Sequence, residues 1–139
     1  MKPVLFVWWS LANELKISAS FKWDDGLSTP QSATFDFTQS ITTKRPHHTV
    51  QAVGTTEEAI GLGDLTTFSW GIFANLDPTN FIELRLPGTG AANDSVKLPA
   101  RDGNNKPSFA IFYFGSNLTA PYAIADTAAC NLEYWLFPT

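Results

Sequence analysis

"FSWGIFANLDPTNFIELRL", Phe68 to Leu86, is the stretch on which the fold turns. Phe68 to Leu76 is a mostly apolar run rich in strand-forming residues. Asp77-Pro78-Thr79-Asn80 then stops it, because proline presets the backbone for a turn and the aspartate before it can bond the chain back on itself. In Phe81 to Leu86, Ile82, Leu84 and Leu86 alternate with Phe81, Glu83 and Arg85, the two-residue period of a strand. The spacing predicts two strands joined as a β-hairpin.

The same pattern extends both ways. In "LKISASFKW", Leu15, Ile17, Ala19, Phe21 and Trp23 alternate with Lys16, Ser18, Ser20 and Lys22, and Asp24-Asp25-Gly26 supplies a turn. Ala33 to Ile41 alternates again, and His48 to Val53 reads as a short strand. Beyond the opening stretch, Val96 to Leu98, Ser108 to Phe114, Tyr122 to Asp126 and Cys130 to Phe137 complete the set. Ser108 to Phe114 ("SFAIFYF") reads as a buried strand, and Trp70 and Trp135 as core. Between strands lie "PGTGAANDS" and "PARDGNNKP", loops rich in turn formers. No segment keeps an apolar 3.6 period; the best helical candidate is one turn near Thr55 to Ala59. The expected fold is all-β: an antiparallel β-sandwich, jelly-roll or Greek-key like, of about eight strands.

Composition narrows the function. A chain of 139 residues is one domain by length and can hold a core without staples. Charged residues are 16%, aromatics 14%, with 11 Phe and 5 Trp. Disorder is excluded by that balance, and a charge-poor, aromatic-rich surface points to a protein partner. Net charge is -4 with no basic block beyond Lys44-Arg45, so a nucleic-acid partner is not expected. No run approaches the ~18 apolar residues of a spanning helix, so no membrane partner is expected and the chain reads as soluble. The single cysteine, Cys130, sits in an apolar run and reads as a buried, inert thiol.

Chemistry is sparse. "GTTEEAIGLGDL", Gly54 to Leu65, gathers three carboxylates and three glycines. Thr55-x-x-Glu58 has capping-box spacing, but Gly61-Leu62-Gly63 lacks the third glycine of a dinucleotide loop and no Gly-Lys-Ser/Thr follows. Glu57 and Glu58, adjacent on an extended chain, point apart rather than across a cleft. The stretch reads as a structural corner built on Gly54, Gly61, Gly63 and Asp64. His47 and His48 fall on opposite faces of a strand and read as solvated rather than as a ligand pair. No catalytic residue, metal or cofactor is expected.

Four segments in order, "LANELKISASF", "TVQAVGTTEEAIGLGDL", "GIFANLDPTNFIEL" and "PYAIADTAACNLEYWLF", resemble a family of small tailed-bacteriophage virion proteins. The likeness covers most of the chain from Leu11 onward, and Leu11 stands where the family's first methionine does. Residues 1–11 are therefore expected to be an N-terminal extension or arm, and 12–139 a single β-sandwich domain. The closing "CNLEYW" is more aromatic than the family pattern, so that end is expected to pack differently. The resemblance implies a non-enzymatic virion structural protein, with the virion as its location after assembly in the bacterial cytoplasm. A capsid decoration (cement) protein is the leading expectation. It would bind the major capsid protein or another virion protein and form a homo-oligomer, a trimer among the arrangements. A tail, neck or fibre component is the second reading. A carbohydrate-binding module using Trp8 or Trp23 is the third. The expected protein-contact residues are Val4, Leu5, Phe6, Val7, Trp8 and Trp9 on the arm, and Arg101, Asn104, Asn105 and Lys106 on a loop.

Overall fold

The computed structural model describes residues 14–23, 26, 31–41, 45–86, 95–117 and 119–138. The arm residues Val4 to Trp9 lie outside them. Ten strands and no helix are formed among the described residues. The chain divides into two compact units, Met1–Thr42 and Thr43–Thr139, so the division falls well beyond residue 11.

The first unit is a two-stranded antiparallel ribbon, β1 (Glu14–Trp23) against β2 (Gln31–Ser40). Its register sets Leu15 opposite Gln39, Ile17 opposite Phe37 and Ala19 opposite Phe35. The alternate row is polar, with the Ser18 hydroxyl donating to Asp36 Oδ1 at 2.6 Å. The period-two pattern of the sequence thus becomes one apolar and one polar face.

The second unit is the sandwich. One sheet runs β3 (His47–Val53), β10 (Cys130–Phe137), β5 (Phe68–Asn75), β8 (Ser108–Asn117). The other runs β4 (Glu58–Ala59), β9 (Tyr122–Ala125), β6 (Ile82–Arg85), β7 (Ser95–Leu98). All described pairings are antiparallel. The expected β5–β6 hairpin does not form. β5 and β6 lie in different sheets, and the Asp77 turn is a corner between layers. Among the described strands of the sandwich, only β6 and β7 are consecutive in chain and adjacent in one sheet. The expected helical turn is likewise absent: a bend at Thr55-Thr56 leads straight into β4.

Alternation fills the core. β10 buries Leu132, Tyr134 and Leu136 and turns Glu133, Trp135 and Phe137 the other way. β6 buries Ile82 and Leu84, and β9 buries Ala123 and Ala125. With Val53, Phe73 and Leu98 these form one apolar cluster between the layers. Each fully buried large side chain contributes about 1.5–3 kcal/mol. Gly71 leaves room for this packing, since a Cβ there would stand 2.6 Å from the Phe73 ring and 2.9 Å from Phe114.

Candidate protein-contact site

The corner between layers depends on Asn75, the last residue of β5, which is fully buried. Its Nδ2 donates to the carbonyls of Asn80 (2.9 Å), Leu98 (3.1 Å) and Pro99 (3.0 Å), and its Oδ1 accepts from Asp77 N–H at 2.9 Å. Asp77 Oδ1 then accepts from the N–H groups of Thr79 (2.8 Å) and Asn80 (2.6 Å). These bonds carry the chain out of one sheet and into the other. The Asn80 and Thr79 amides hold the Asp77 carboxyl below its ordinary value. A depressed folded value contributes stability above the ordinary carboxylate range, which is lost as pH falls through the folded value. Asp77→Asn is expected to lower the urea midpoint at neutral pH, with the difference from the parent chain shrinking as pH falls through the folded value.

Cys130 is buried beside this corner, as the sequence predicts. Burial first, and the nearby Asp77 carboxylate second, push its thiol up to about 11. At pH 8 the thiolate fraction is then on the order of 0.1%. A thiol reagent is expected to label the native chain at least ~100-fold more slowly than the urea-unfolded one, as a stopped-time mass assay would read.

The Gly54 stretch is held by hydrogen bonds to its backbone. Glu58 Oε1 accepts from Gly54 N–H at 2.6 Å, and Gly54 O accepts from Ala125 N–H at 2.8 Å. Glu58 therefore reaches back to a backbone amide as a capping-box glutamate does, with strand rather than helix beside it. Gln51 completes the pin: its Nε2 donates to Glu58 Oε2 (3.3 Å) and Ala59 O (3.1 Å), and its Oε1 accepts from Gly61 N–H (3.0 Å). The Tyr134 hydroxyl donates to Gly61 O at 2.8 Å. Gly63 takes φ +57° in a turn closed by Leu65 N–H to Leu62 O at 3.1 Å. Asp64 shares that turn and, with Arg45, Pro46, His47 and Leu65, lines an open depression of about 410 Å³. Glu57 pairs with Arg85 on the surface. Glu57→Gln should change stability by less than ~0.5 kcal/mol, whereas Glu58→Ala should cost ~1–2 kcal/mol in chemical denaturation. Sequence reasoning missed Gln51, which carries no motif.

The histidines separate as an extended chain requires. His47 is half-buried with its ring 5.9 Å from Tyr134. His48 is exposed, stacked on Trp135 at 4.4 Å and 2°, with Nε2 2.9 Å from Glu133 Oε1. Neither is merely solvated. Among the described residues no three metal-ligating side chains come together.

Among the described residues, the outer face of the β3-β10-β5-β8 sheet holds four of the second unit's five exposed large hydrophobic side chains, Val50, Phe109, Ile111 and Tyr113. Registers align its outward side chains in rows. One row runs Val50, Glu133, Ala74, Phe109; the next His48, Trp135, Ile72, Ile111; the third Phe137, Trp70, Tyr113. Phe109 is 67% exposed, Tyr113 63% and Val50 49%. The one acidic side chain in these rows, Glu133, lies 2.9 Å from His48 Nε2. Three expectations are corrected here. β8 is an edge strand, not a buried one, and Trp70 and Trp135 are half-buried on the outer face rather than core. An apolar run fits either a central or an edge strand, and only pairing decides which.

No family model, curated protein or solved structure matches the chain.

The predicted contact loop runs directly into β8. Arg101 is half-buried, with its N–H donating to Asp77 O at 2.8 Å. Asn104, Asn105 and Lys106 are exposed on a turn that Asp102 organises, its Oδ1 accepting from Asn104 N–H (3.0 Å) and Lys106 N–H (2.8 Å). Asn105 holds φ +62°, a left-handed conformation that asparagine tolerates. The loop presents polar groups beside the aromatic face, the order of rim and core in a protein interface.

Proposed function

We propose that this chain is a non-enzymatic structural protein of a tailed-phage virion, a capsid decoration protein that binds the assembled shell. The observation that carries the reading is the outer sheet face, with exposed Phe109, Tyr113 and Val50 and one carboxylate, Glu133, within hydrogen-bond reach of His48. Such a face gains by covering and offers little to a nucleic acid or a charged ligand. The strand order supports the reading. Counting β3 to β10 as one to eight, the sheets run 1-8-3-6 and 2-7-4-5. This order favours a jelly roll, an architecture used by viral capsid and lectin domains. The resemblance to tailed-phage virion proteins favours the virion over the lectin.

Binding only the assembled lattice would stabilise the shell by mass action, and many copies across neighbouring capsomers would add avidity. Cryo-electron microscopy of the particle is the test. Density for the sandwich on the head exterior, with the β8 face or the Arg101–Lys106 loop against the shell, is the expected result. Its absence from the head, or its presence only at neck or tail, overturns the decoration role. Paired Phe109→Ser and Tyr113→Ser substitutions should weaken shell binding while the purified chain stays folded.

A further inference from the structure

We propose that β8 is a self-association edge, through which two copies of this chain pair antiparallel and join their sheets into one of eight strands. Among the described residues β8 has one hydrogen-bonded neighbour, β5. Among the described residues its other side is the longest unpaired sheet edge of the sandwich. Folded proteins blunt such edges with charge, proline or brevity. The edges of the other sheet obey: β4 has two residues, and β7 has four and carries Lys97. β3, the opposite edge of the same sheet, also lacks Lys, Arg, Asp, Glu and Pro but is shorter, at seven residues. Ser108 to Asn117 contains no Lys, Arg, Asp, Glu or Pro.

A second copy is the partner that this edge suits. An uncharged strand opposed to itself meets no like charge, and its β-rich aromatic sequence needs no other complement. The register against β5 shifts beyond Tyr113, and Gly115 takes φ +69°, so the regular stretch runs from Ser108 to Phe114. Its midpoint is Ile111. A two-fold axis normal to the sheet at Ile111 keeps outward side chains on one face, because directly opposed residues of an antiparallel pair share a face. It sets Phe109 against Tyr113, Ile111 against Ile111 and Tyr113 against Phe109. Every outward cross-strand pair is then apolar, and the aromatic rows continue from one copy into the next. The ladder adds roughly six backbone hydrogen bonds, against about ten in a whole standard interface. The inference goes beyond the decoration reading and does not depend on it.

Sedimentation velocity of the purified full chain tests it. The parent chain should sediment as a dimer, and Ile111→Lys as a folded monomer, with Kd raised at least ~100-fold by like charges meeting on the axis. Val50→Lys, on the opposite edge strand, should remain dimeric. Because residue 111 meets its own copy, an equimolar mixture of Ile111→Lys and Ile111→Glu chains should recover the dimer. If the charged variants do not fold, Ile111→Cys in a Cys130→Ser background decides. Directly opposed residues lie ~4.5–5.5 Å apart, within disulfide reach, and mild oxidation should link two chains. A monomeric parent chain, a dimer indifferent to Ile111→Lys, no recovery in the mixture, or no cross-link overturns the proposal. So does loss of the dimer on removing residues 1–10, which would give the contact to that segment instead.

Discussion

Asn75→Ala is expected to destabilise the sandwich by about 4 kcal/mol. The side chain is fully buried, and alanine would leave the carbonyls of Asn80, Leu98 and Pro99 and the N–H of Asp77 without their side-chain partner. Each buried polar group so abandoned costs ~1–3 kcal/mol, and local relaxation recovers part of the total. Against a typical stability of ~5–15 kcal/mol the loss is large. Asn75→Asp should be no better, since it brings a carboxylate to three carbonyl oxygens in a buried corner. Urea titration reads the result as a lower midpoint at unchanged slope. A cost under ~1 kcal/mol would show that water replaces the amide and that the corner is not held as described.

Gly63→Val should cost about 3 kcal/mol by two separable routes. The first is strain: φ +57° is left-handed, which costs a non-glycine residue ~1–2 kcal/mol and a β-branched one more. The second is collision, because a Cβ at this position runs into the His47 imidazole. Gly63→Ala combined with His47→Ala should relieve the collision and keep the strain, so the double variant should be more stable than the sum of the singles. Additive losses would assign the whole effect to the backbone. Gly61 differs: its φ is not positive, and a Cβ would press the Tyr134 hydroxyl at 3.2 Å.

Local pattern carried most of the strand content. β1, β2, β6 and β10 were legible because each alternates, and alternation is dictated by the pleat alone. The β5–β6 corner was not. Asp77-Pro78-Thr79-Asn80 specifies a reversal equally well inside a sheet or between sheets, and the choice lies with Asn75 reaching carbonyls at Leu98 and Pro99, more than twenty residues away. Asn75 within an apolar run was the available hint. Trp135 was misread although the parity of β10 held the answer. It shares a row with Glu133, so that row faces outward, while Leu132, Tyr134 and Leu136 face in. "SFAIFYF" offered no such help, because an uncharged strand reads alike at a sheet's centre and at its edge. Of the expected contact residues, Asn104, Asn105 and Lys106 are exposed and Arg101 is half-buried, while the outer sheet face beside them came only from the register.

The position of β10 has a consequence for how the chain is made. β10 is made after the nine other described strands, yet it lies between β3 and β5. Until it arrives, β3 has no ladder at all, and one side of β5 is unpaired. Among the described strands of the sandwich only β6 and β7 are neighbours in both chain and sheet, so the rest closes through contacts of high sequence separation, on the millisecond-to-second scale of such β topologies. A chain truncated before Cys130 should lack the strand that joins β3 to β5, and a nascent chain paused there would offer the unpaired side of β5 to its neighbours before β10 could cover it.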